Sequence, residues 1–178
     1  PDDPSRAILN GIADLAESES LGGIDLTHGS TVATNSLLTR RGARAALITT
    51  AGFEDVIEIG RQSRNNLYDL AYHRPPPLIP RPLRFGIKER LDELGNVVEP
   101  ISIREIKRLT ERIKKSGAEI AAVCFLHAYA NSAHEEKVAE VLERAGIAVS
   151  LSSHVLPEYR EYERTSTTCV NAYVSPVT

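Results

Sequence analysis

Five polar residues around the start of one helix-like segment could perform chemistry. They fall within HGSTVATN, which begins at His28 and contains Ser30, Thr31, Thr34 and Asn35. At about 100° per residue, Thr31, Thr34 and Asn35 share one arc of the helix, although Thr and Asn are poor helix formers. Because free N–H groups at a helix start attract oxyanions and phosphates, we predict catalytic roles for His28, Thr31 and Asn35 and binding roles for Ser30 and Thr34. The alternative is that Ser30 or Thr31 only caps the helix and that His28 fills a polar gap.

Three arginines could bind a carboxylate or a phosphate. Arg61 and Arg64 lie in the polar loop 60–64, and Arg164 follows Arg160 by four residues on one predicted helix. A guanidinium presents paired N–H donors that match such anions. We therefore predict that Arg61, Arg64 and Arg164 bind substrate or phosphate. For Arg61 and Arg64 the alternative is a solvated charged loop. For the helix that carries Arg164, the alternative is ordinary hydrogen bonding of its Ser and Thr hydroxyls back to helix carbonyls.

Metal and thiol chemistry are not indicated. Cys124 and Cys169 are isolated from each other, and we interpret them as reduced thiols. Four histidines lie far apart without the spacing of metal ligands, so no metal site is predicted: His73, His127, His134 and His154. The sequence also lacks the patterns GxxxxGK[ST], GxGxxG, Asp-Gly-Gly-Thr and Gly-x-Ser-x-Gly.

The elements that must position these residues alternate between strands and helices. Apolar runs predict strands at 24–27, 45–49, 119–126 and 147–151, and helical spacing predicts helices at 32–41, 103–116, 133–145 and 157–174. Two pairs have capping-box spacing, Ser102 with Glu105 and Ser132 with Glu135. Strands that alternate with helices predict an α/β fold with parallel pairing and right-handed crossovers.

The middle of the chain differs from this alternation. Residues 75–101 predict a proline-rich crossing followed by an inserted β-hairpin, whose strands 83–91 and 97–101 flank a glycine turn at 92–96. We expect this part to be an insertion on an α/β scaffold.

Composition and net charge indicate the class of protein and disfavour two kinds of partner. Of 178 residues, 42% are hydrophobic and 25% charged, and the net charge is −3, so the chain is typical of a globular protein. That charge favours neither nucleic acid nor a membrane surface as a partner, and we expect a cytoplasmic protein. The chain begins at Pro1 without Met and stops soon after a long helical segment, so we expect a piece of a longer polypeptide.

Several ordered motifs resemble those of one family. They are HGSTVATNSLLTRRGARAALITTAGFEDVIEIGRQSR, ERLDELGNVVEP, VCFLHAYANSAHEEKVAEVL and SSHVLPEYREYERTSTTCVNAYVSPV, which together cover nearly the whole chain. The sequence resembles the N-terminal region of the hydantoinase A/5-oxoprolinase family. That resemblance implies an actin/hexokinase-like (ribonuclease H-related) lobe with a mixed, partly parallel sheet. It also implies an enzyme that uses ATP and Mg²⁺ to phosphorylate the ring carbonyl oxygen of a cyclic amide before hydrolysis, together with a B-type subunit or domain.

The chain departs from the family in its phosphate loops. An Asp-x-Gly-Gly-Thr-like hairpin before this region and a Gly-Gly-Thr-like loop after it are expected, and neither occurs in residues 1–178. We therefore expect an incomplete domain that is inactive alone and binds no cofactor alone. Two alternatives stay open: a subunit of an acetone- or acetophenone-type carboxylase, and a non-catalytic α/β module that binds a small anion or a protein.

Overall fold

The computed structural model describes residues 6, 9–14, 31–62, 68, 71 and 75–177. The chain divides into two compact units, Pro1–Ser30 and Thr31–Thr178. In the first unit, the described residues 9–14 belong to a helix, α1. The predicted strand 24–27 lies outside the described residues.

A four-stranded sheet organises the second unit. Its strands are β1 (Ala45–Thr50), β2 (Arg84–Ile87), β5 (Ile120–Cys124) and β6 (Ala148–Leu151). They lie in the order β2-β1-β5-β6, and all three pairs are parallel. The register places Ile48 between Phe85 and Val123. Every residue of β1 and β5 is buried, as expected for central strands whose two faces are both covered.

Helices cover both faces of this sheet. On one face, α4 (Ile103–Ser116) and α5 (Ala133–Arg144) bury residues such as Ile106 and Leu142 against a cluster that includes Ile48. On the other face, α7 (Glu161–Val174) buries Cys169 and Ala172 against β1 and β5. The shorter helices α2 (Val32–Thr39), α3 (Val56–Ile59) and α6 (Ser152–Val155) pack against α7. The second unit is thus an α/β layered fold, as the alternating pattern predicts.

The strand predicted over 83–91 is two strands. Its first half is β2, in the parallel sheet, and its second half is β3 (Arg90–Leu91), which pairs antiparallel with β4 (Val97–Glu99). The Asp92 carboxylate accepts hydrogen bonds from the backbone N–H groups of Leu94 (3.0 Å) and Asn96 (2.8 Å) and so closes the intervening turn. The main sheet itself is parallel throughout rather than mixed, because β2 lies parallel to β1.

Both predicted capping boxes are wrong, although both helices start where they were expected. Neither Ser102 nor Ser132 makes a side-chain cap hydrogen bond. Ser132 Oγ instead donates to Glu136 (2.5 Å), and Glu135 is turned into the core. The last long helix begins at Glu161 rather than at 157, after the short helix α6 and the non-helical residues 156–160. No helix among the described residues is both long and apolar enough to cross a bilayer.

Candidate functional site

The carboxyl ends of the four parallel strands share one edge of the sheet, which is where open α/β sheets bind ligands. Thr50 ends β1, Glu89 lies two residues beyond β2, Phe125 follows β5 and Ser152 follows β6. Helix α5 begins close by, after the loop 125–132. The topology therefore gathers polar residues from distant parts of the sequence at this edge.

Glu135 is the centre of the first polar network at this edge, and it is fully buried. One carboxylate oxygen accepts hydrogen bonds from the Phe125 backbone N–H (3.0 Å) and the Ser152 hydroxyl (2.6 Å), and the other accepts from the Ser153 backbone N–H (2.9 Å). Hydrogen bonds to a buried charged acceptor are among the stronger ones in proteins. Glu135 therefore fixes the chain just after β5 and β6 and is not a free base.

Arg164 extends this network from α7. Its guanidinium is fully buried, donates to Ser152 Oγ (2.9 Å) and to Glu161 (2.6 Å), and lies over the ring of Tyr129. The Nε atom has no hydrogen-bond partner among the described residues. Burial raises the pKa of Glu161, and the nearby guanidinium of Arg164 opposes that shift. Ser152 therefore links a buried carboxylate to a buried cation.

Glu89 is the centre of a second buried network. One of its oxygens accepts a hydrogen bond from the Thr50 hydroxyl, and the other contacts Nδ1 of His134 (2.7 Å). Thr50 Oγ1 also accepts from the Leu126 backbone N–H (3.1 Å). All four carboxylate oxygens of the two glutamates thus contact protein groups. Among the described residues, no cluster of His, Cys, Asp and Glu could hold a metal ion.

A groove opens beside these networks. Its volume is about 540 Å³, and it is lined by residues 94–95 of the β3–β4 turn, 128–132 of the loop after β5 and 153–154 of α6. Asn131 joins two of the walls, because its side-chain amide donates to the Gly95 carbonyl (2.8 Å). We call this cavity the edge groove.

The residues predicted at the mouth of α2 lie on the surface. Thr31, Thr34 and Asn35 are all exposed, and Asn35 Nδ2 donates to Thr31 Oγ1 (3.4 Å). Thr31 is the N-cap residue but makes no side-chain cap hydrogen bond. Simple capping by Thr31 is thus not what the structure shows. His28 and Ser30 lie outside the described residues, so the complete predicted cluster is not described.

The predicted arginines do not form one site. Arg61 is exposed and donates from Nε to Glu163 of α7 (2.6 Å). Arg164 is adjacent to Glu163 in sequence but points inward, where its contacts are internal. Arg64 lies outside the described residues. Arg61 is therefore bound to the outer surface of α7 through Glu163. Arg164 lies inside the fold, where it holds the side chains of Ser152 and Glu161.

The two cysteines are free and buried. Burial raises the pKa of the Cys124 thiol to about 11, and Cys124 Sγ contacts the Thr165 hydroxyl (3.1 Å). Burial also raises the pKa of Cys169. Since the thiolate is the reactive form, burial and the raised pKa both disfavour nucleophilic chemistry at these two cysteines.

Sequence reasoning missed the buried carboxylates and their partners. The spacing of Ser132 and Glu135 predicts a capping role for Glu135, and Glu89 lies within the predicted strand 83–91 with no pattern that marks a site. The signal available in the sequence was the position of Glu89 just after an apolar run and of Glu135 in the first turn of the helix that follows β5. Serine at the end of β6, here Ser152, gave the same signal.

Several known proteins are similar to this chain in sequence. Residues 1–146 match the family described as the hydantoinase/oxoprolinase N-terminal region. The chain is 45% identical over 157 residues to an uncharacterised protein of Methanocaldococcus jannaschii. This match covers 85% of this chain and 23% of that protein. It is 34% identical to the caprolactamase alpha subunit of Pseudomonas jessenii and 33% identical to the acetophenone carboxylase gamma subunit of Aromatoleum aromaticum. These matches cover 99% and 98% of this chain, and 27% of each relative.

A solved structure is similar over the same extent. The crystal structure of the ATP-dependent caprolactamase from Pseudomonas jessenii matches with a TM-score of 0.84 and 34% identity, over 99% of this chain and 27% of that chain. The chain thus spans about a quarter of the length of these three relatives.

Proposed function

The chain belongs to the hydantoinase/oxoprolinase N-terminal family, and from that premise we propose that it is part of an ATP-dependent hydrolase of cyclic amides. The observation that carries the proposal is the similarity to the ATP-dependent caprolactamase, which extends over 99% of this chain in both sequence and structure. Hydantoins and 5-oxoproline, the substrates that the family name suggests, share with caprolactam an amide bond within a ring.

The proposed reaction couples ATP to ring opening. Transfer of the terminal phosphoryl group of ATP to the ring carbonyl oxygen would release ADP and make the carbonyl carbon electrophilic. Water would then add to that carbon, the C–N bond would break as the nitrogen takes up a proton, and inorganic phosphate would leave, so that the ring opens to a carboxylate. This coupling suits a lactam because the amide resists direct hydrolysis. In the proposal, a B-type subunit or domain completes the hydrolysis, and the complete enzyme has the two-lobed actin/hexokinase-like form.

The described residues do not fit a nucleotide–magnesium site by themselves. The oxygens of Glu89 and Glu135 already contact protein donors, and residues 1–178 contain no glycine-rich phosphate loop of the expected type. We therefore assign the ATP and Mg²⁺ site to other parts of the complete protein, and this chain to the substrate-facing side of one lobe.

Within that lobe, His28, Thr31 and Asn35 are our candidates for contact with the reacting oxygen. Ser30, Thr34, Arg61 and Arg64 are candidates for binding substrate or phosphate. The exposure of Thr31, Thr34 and Asn35 supports their access to a ligand. Arg164 acts instead through Ser152 and Glu161, because its guanidinium is buried and bonded to both.

A second candidate function is a carboxylase subunit. The observation in its favour is the 33% identity to the acetophenone carboxylase gamma subunit over 98% of this chain. In that case, phosphorylation would activate a ketone or bicarbonate instead of a cyclic amide.

The decisive test is phosphate release from ATP by the complete gene product together with its B-type partner. Hydantoin, 5-oxoproline, caprolactam and acetone are offered separately. We expect release that depends on a cyclic amide and that Arg61→Ala reduces. The matched control is Arg144→Ala, because Arg144 forms a comparable exposed ion pair with Glu140. Stimulation by acetone alone would favour the carboxylase, and no stimulation by any compound would refute both functions.

A further inference from the structure

We propose that one outer face of the second unit docks the B-type partner, through an acidic surface of that partner that also carries apolar side chains. The face combines exposed apolar residues on β4 and at the start of α4 with exposed cations on the next turns of α4: Val97, Val98, Ile103, Arg104, Lys107 and Arg108. We call it the docking face. This inference rests on the proposed function, which supplies the partner, and adds the surface and the charge by which the partner is recognised.

The apolar part of the docking face is open to solvent. Val97 is 51% exposed, Val98 64% and Ile103 41%. In the described structure β4 pairs only with β3, so its other edge is open as well. Leu94 is exposed too, but it lies beside the edge groove and next to the acidic turn residues 92–93, and is not part of the face. Neighbouring exposed apolar side chains and an open strand edge are typical of a surface that another protein covers.

The cations of the docking face have no ionic partner within the described unit. Arg104, Lys107 and Arg108 line a groove of about 510 Å³ together with Ile103 and Glu111. None of the three forms an ion pair with a described residue. Helix α4 carries six cations and two acids, a net charge of +4 on a chain whose net charge is −3. Carboxylates of a partner could therefore pair with these cations and set the orientation in which it docks.

The acids around the face leave it positive. Glu99 contacts Nζ of Lys88 (2.5 Å), and the charge of Glu105 acts on the same lysine, so that both raise the pKa of Lys88. Glu111 lines the groove itself, opposite three cations. The described lining of the groove thus keeps a net charge of +2.

The charge of the whole chain favours a protein as the occupant. A net charge of −3 opposes approach to an extended anionic surface such as a membrane or a nucleic acid. An acidic protein surface can place a few carboxylates opposite the cations of α4 and apolar side chains opposite Val97 and Val98. An apolar centre with a charged rim is the usual composition of a protein interface.

Association of the complete gene product with its B-type partner tests the docking face without ATP or substrate. In calorimetric titration, the Kd should rise about three- to tenfold from about 0.05 M to about 0.3 M NaCl, because salt screens exposed charges. Lys107→Glu and Arg108→Glu should each raise the Kd about three- to tenfold, since one attraction becomes a repulsion. The control is Lys137→Glu, the same change at an exposed position of α5 outside the face.

Val98→Ser tests the apolar part of the face. It should raise the Kd about five- to twentyfold, the loss of one buried valine side chain from an interface. The control is Leu38→Ser, a similar change at a residue of α2 that is 78% exposed. Because all these side chains are exposed, each variant should unfold at the urea midpoint of the parent. If Val98→Ser shifts that midpoint, the helix-surface variants Lys107→Glu and Arg108→Glu decide the test.

Three results would refute the docking face. One is no association with the partner, and another is a Kd that the face variants leave at that of their controls. The third is loss of binding to phosphatidylserine vesicles in Lys107→Glu and Arg108→Glu while partner binding is unchanged, which would assign the face to a membrane.

Failure of the proposed function would look different. Weakened association in the face variants, without phosphate release stimulated by any cyclic amide, would support the docking face and refute the hydrolase. Stimulated phosphate release, with face variants that bind the partner as their controls do, would support the hydrolase and refute the docking face.

Discussion

Glu135→Gln should lower the free energy of unfolding by about 2–4 kcal/mol. The change is almost isosteric, but one carboxylate oxygen becomes an amide nitrogen that cannot accept a hydrogen bond. If this nitrogen faces Ser153, two N–H donors meet where a hydrogen bond of 2.9 Å now lies. The hydrogen bonds donated by Phe125 and Ser152 would then end on a neutral oxygen instead of a charged one. One lost charged bond and two weakened bonds amount to about 3–5 kcal/mol, which the smaller desolvation cost of an amide offsets in part.

Equilibrium unfolding in urea measures this loss. The control is Glu136→Gln, because Glu136 is exposed and its carboxylate accepts a hydrogen bond from the Ser132 hydroxyl. That control should change stability by less than about 0.5 kcal/mol. Amide exchange should also become faster at Phe125 and Ser153 in Glu135→Gln alone. Equal stability of the two variants, with unchanged exchange at those amides, would show that the buried carboxylate does not hold the strand ends.

Three further predictions concern other parts of the fold. Gly42→Ala should destabilise the chain by about 1–3 kcal/mol in urea unfolding, because the added Cβ would collide with the Tyr173 ring. A variant as stable as the parent would contradict the contact. Iodoacetamide at pH 8 should leave Cys124 unmodified in the folded chain by mass spectrometry, since burial raises its pKa to about 11; rapid labelling would count against this. Hydrogen bonds from Asn96, first from its side chain, lower the pKa of Asp92. Stability from the ionised carboxylate should therefore be lost as pH falls through that lowered pKa, and Asp92→Asn should abolish this part of the acid sensitivity in unfolding measured across pH. An unchanged pH profile would refute the role of the turn.

Part of the fold could be predicted from local pattern. The apolar runs at 45–49, 119–126 and 147–151 became β1, β5 and β6, because a strand buried on both faces needs a continuous apolar sequence. The break between β2 and β3 could not be read in the same way. The run 83–91 offers no turn residue at the break, and β2 is defined by its pairing with β1, which lies more than thirty residues earlier.

In the candidate site too, local pattern predicted some features and tertiary contacts decided the others. Residue types at the start of α2 predicted catalytic and binding roles. Thr31, Thr34 and Asn35 are exposed, and their roles stay predictions. The spacing of Ser132 and Glu135 indicated a helix cap, and the structure turned Glu135 inward to Phe125 and Ser152.

The sequence by itself determined the α/β class and the resemblance to a family, because both depend on order and spacing along the chain. The tertiary structure alone decided which polar side chains are buried and with which partners. Glu89 meets His134 across 45 residues and Arg61 meets Glu163 across 102. Such contacts have no local signature, since they arise only when parallel strands bring their carboxyl ends to one edge of the sheet and helices close over its faces.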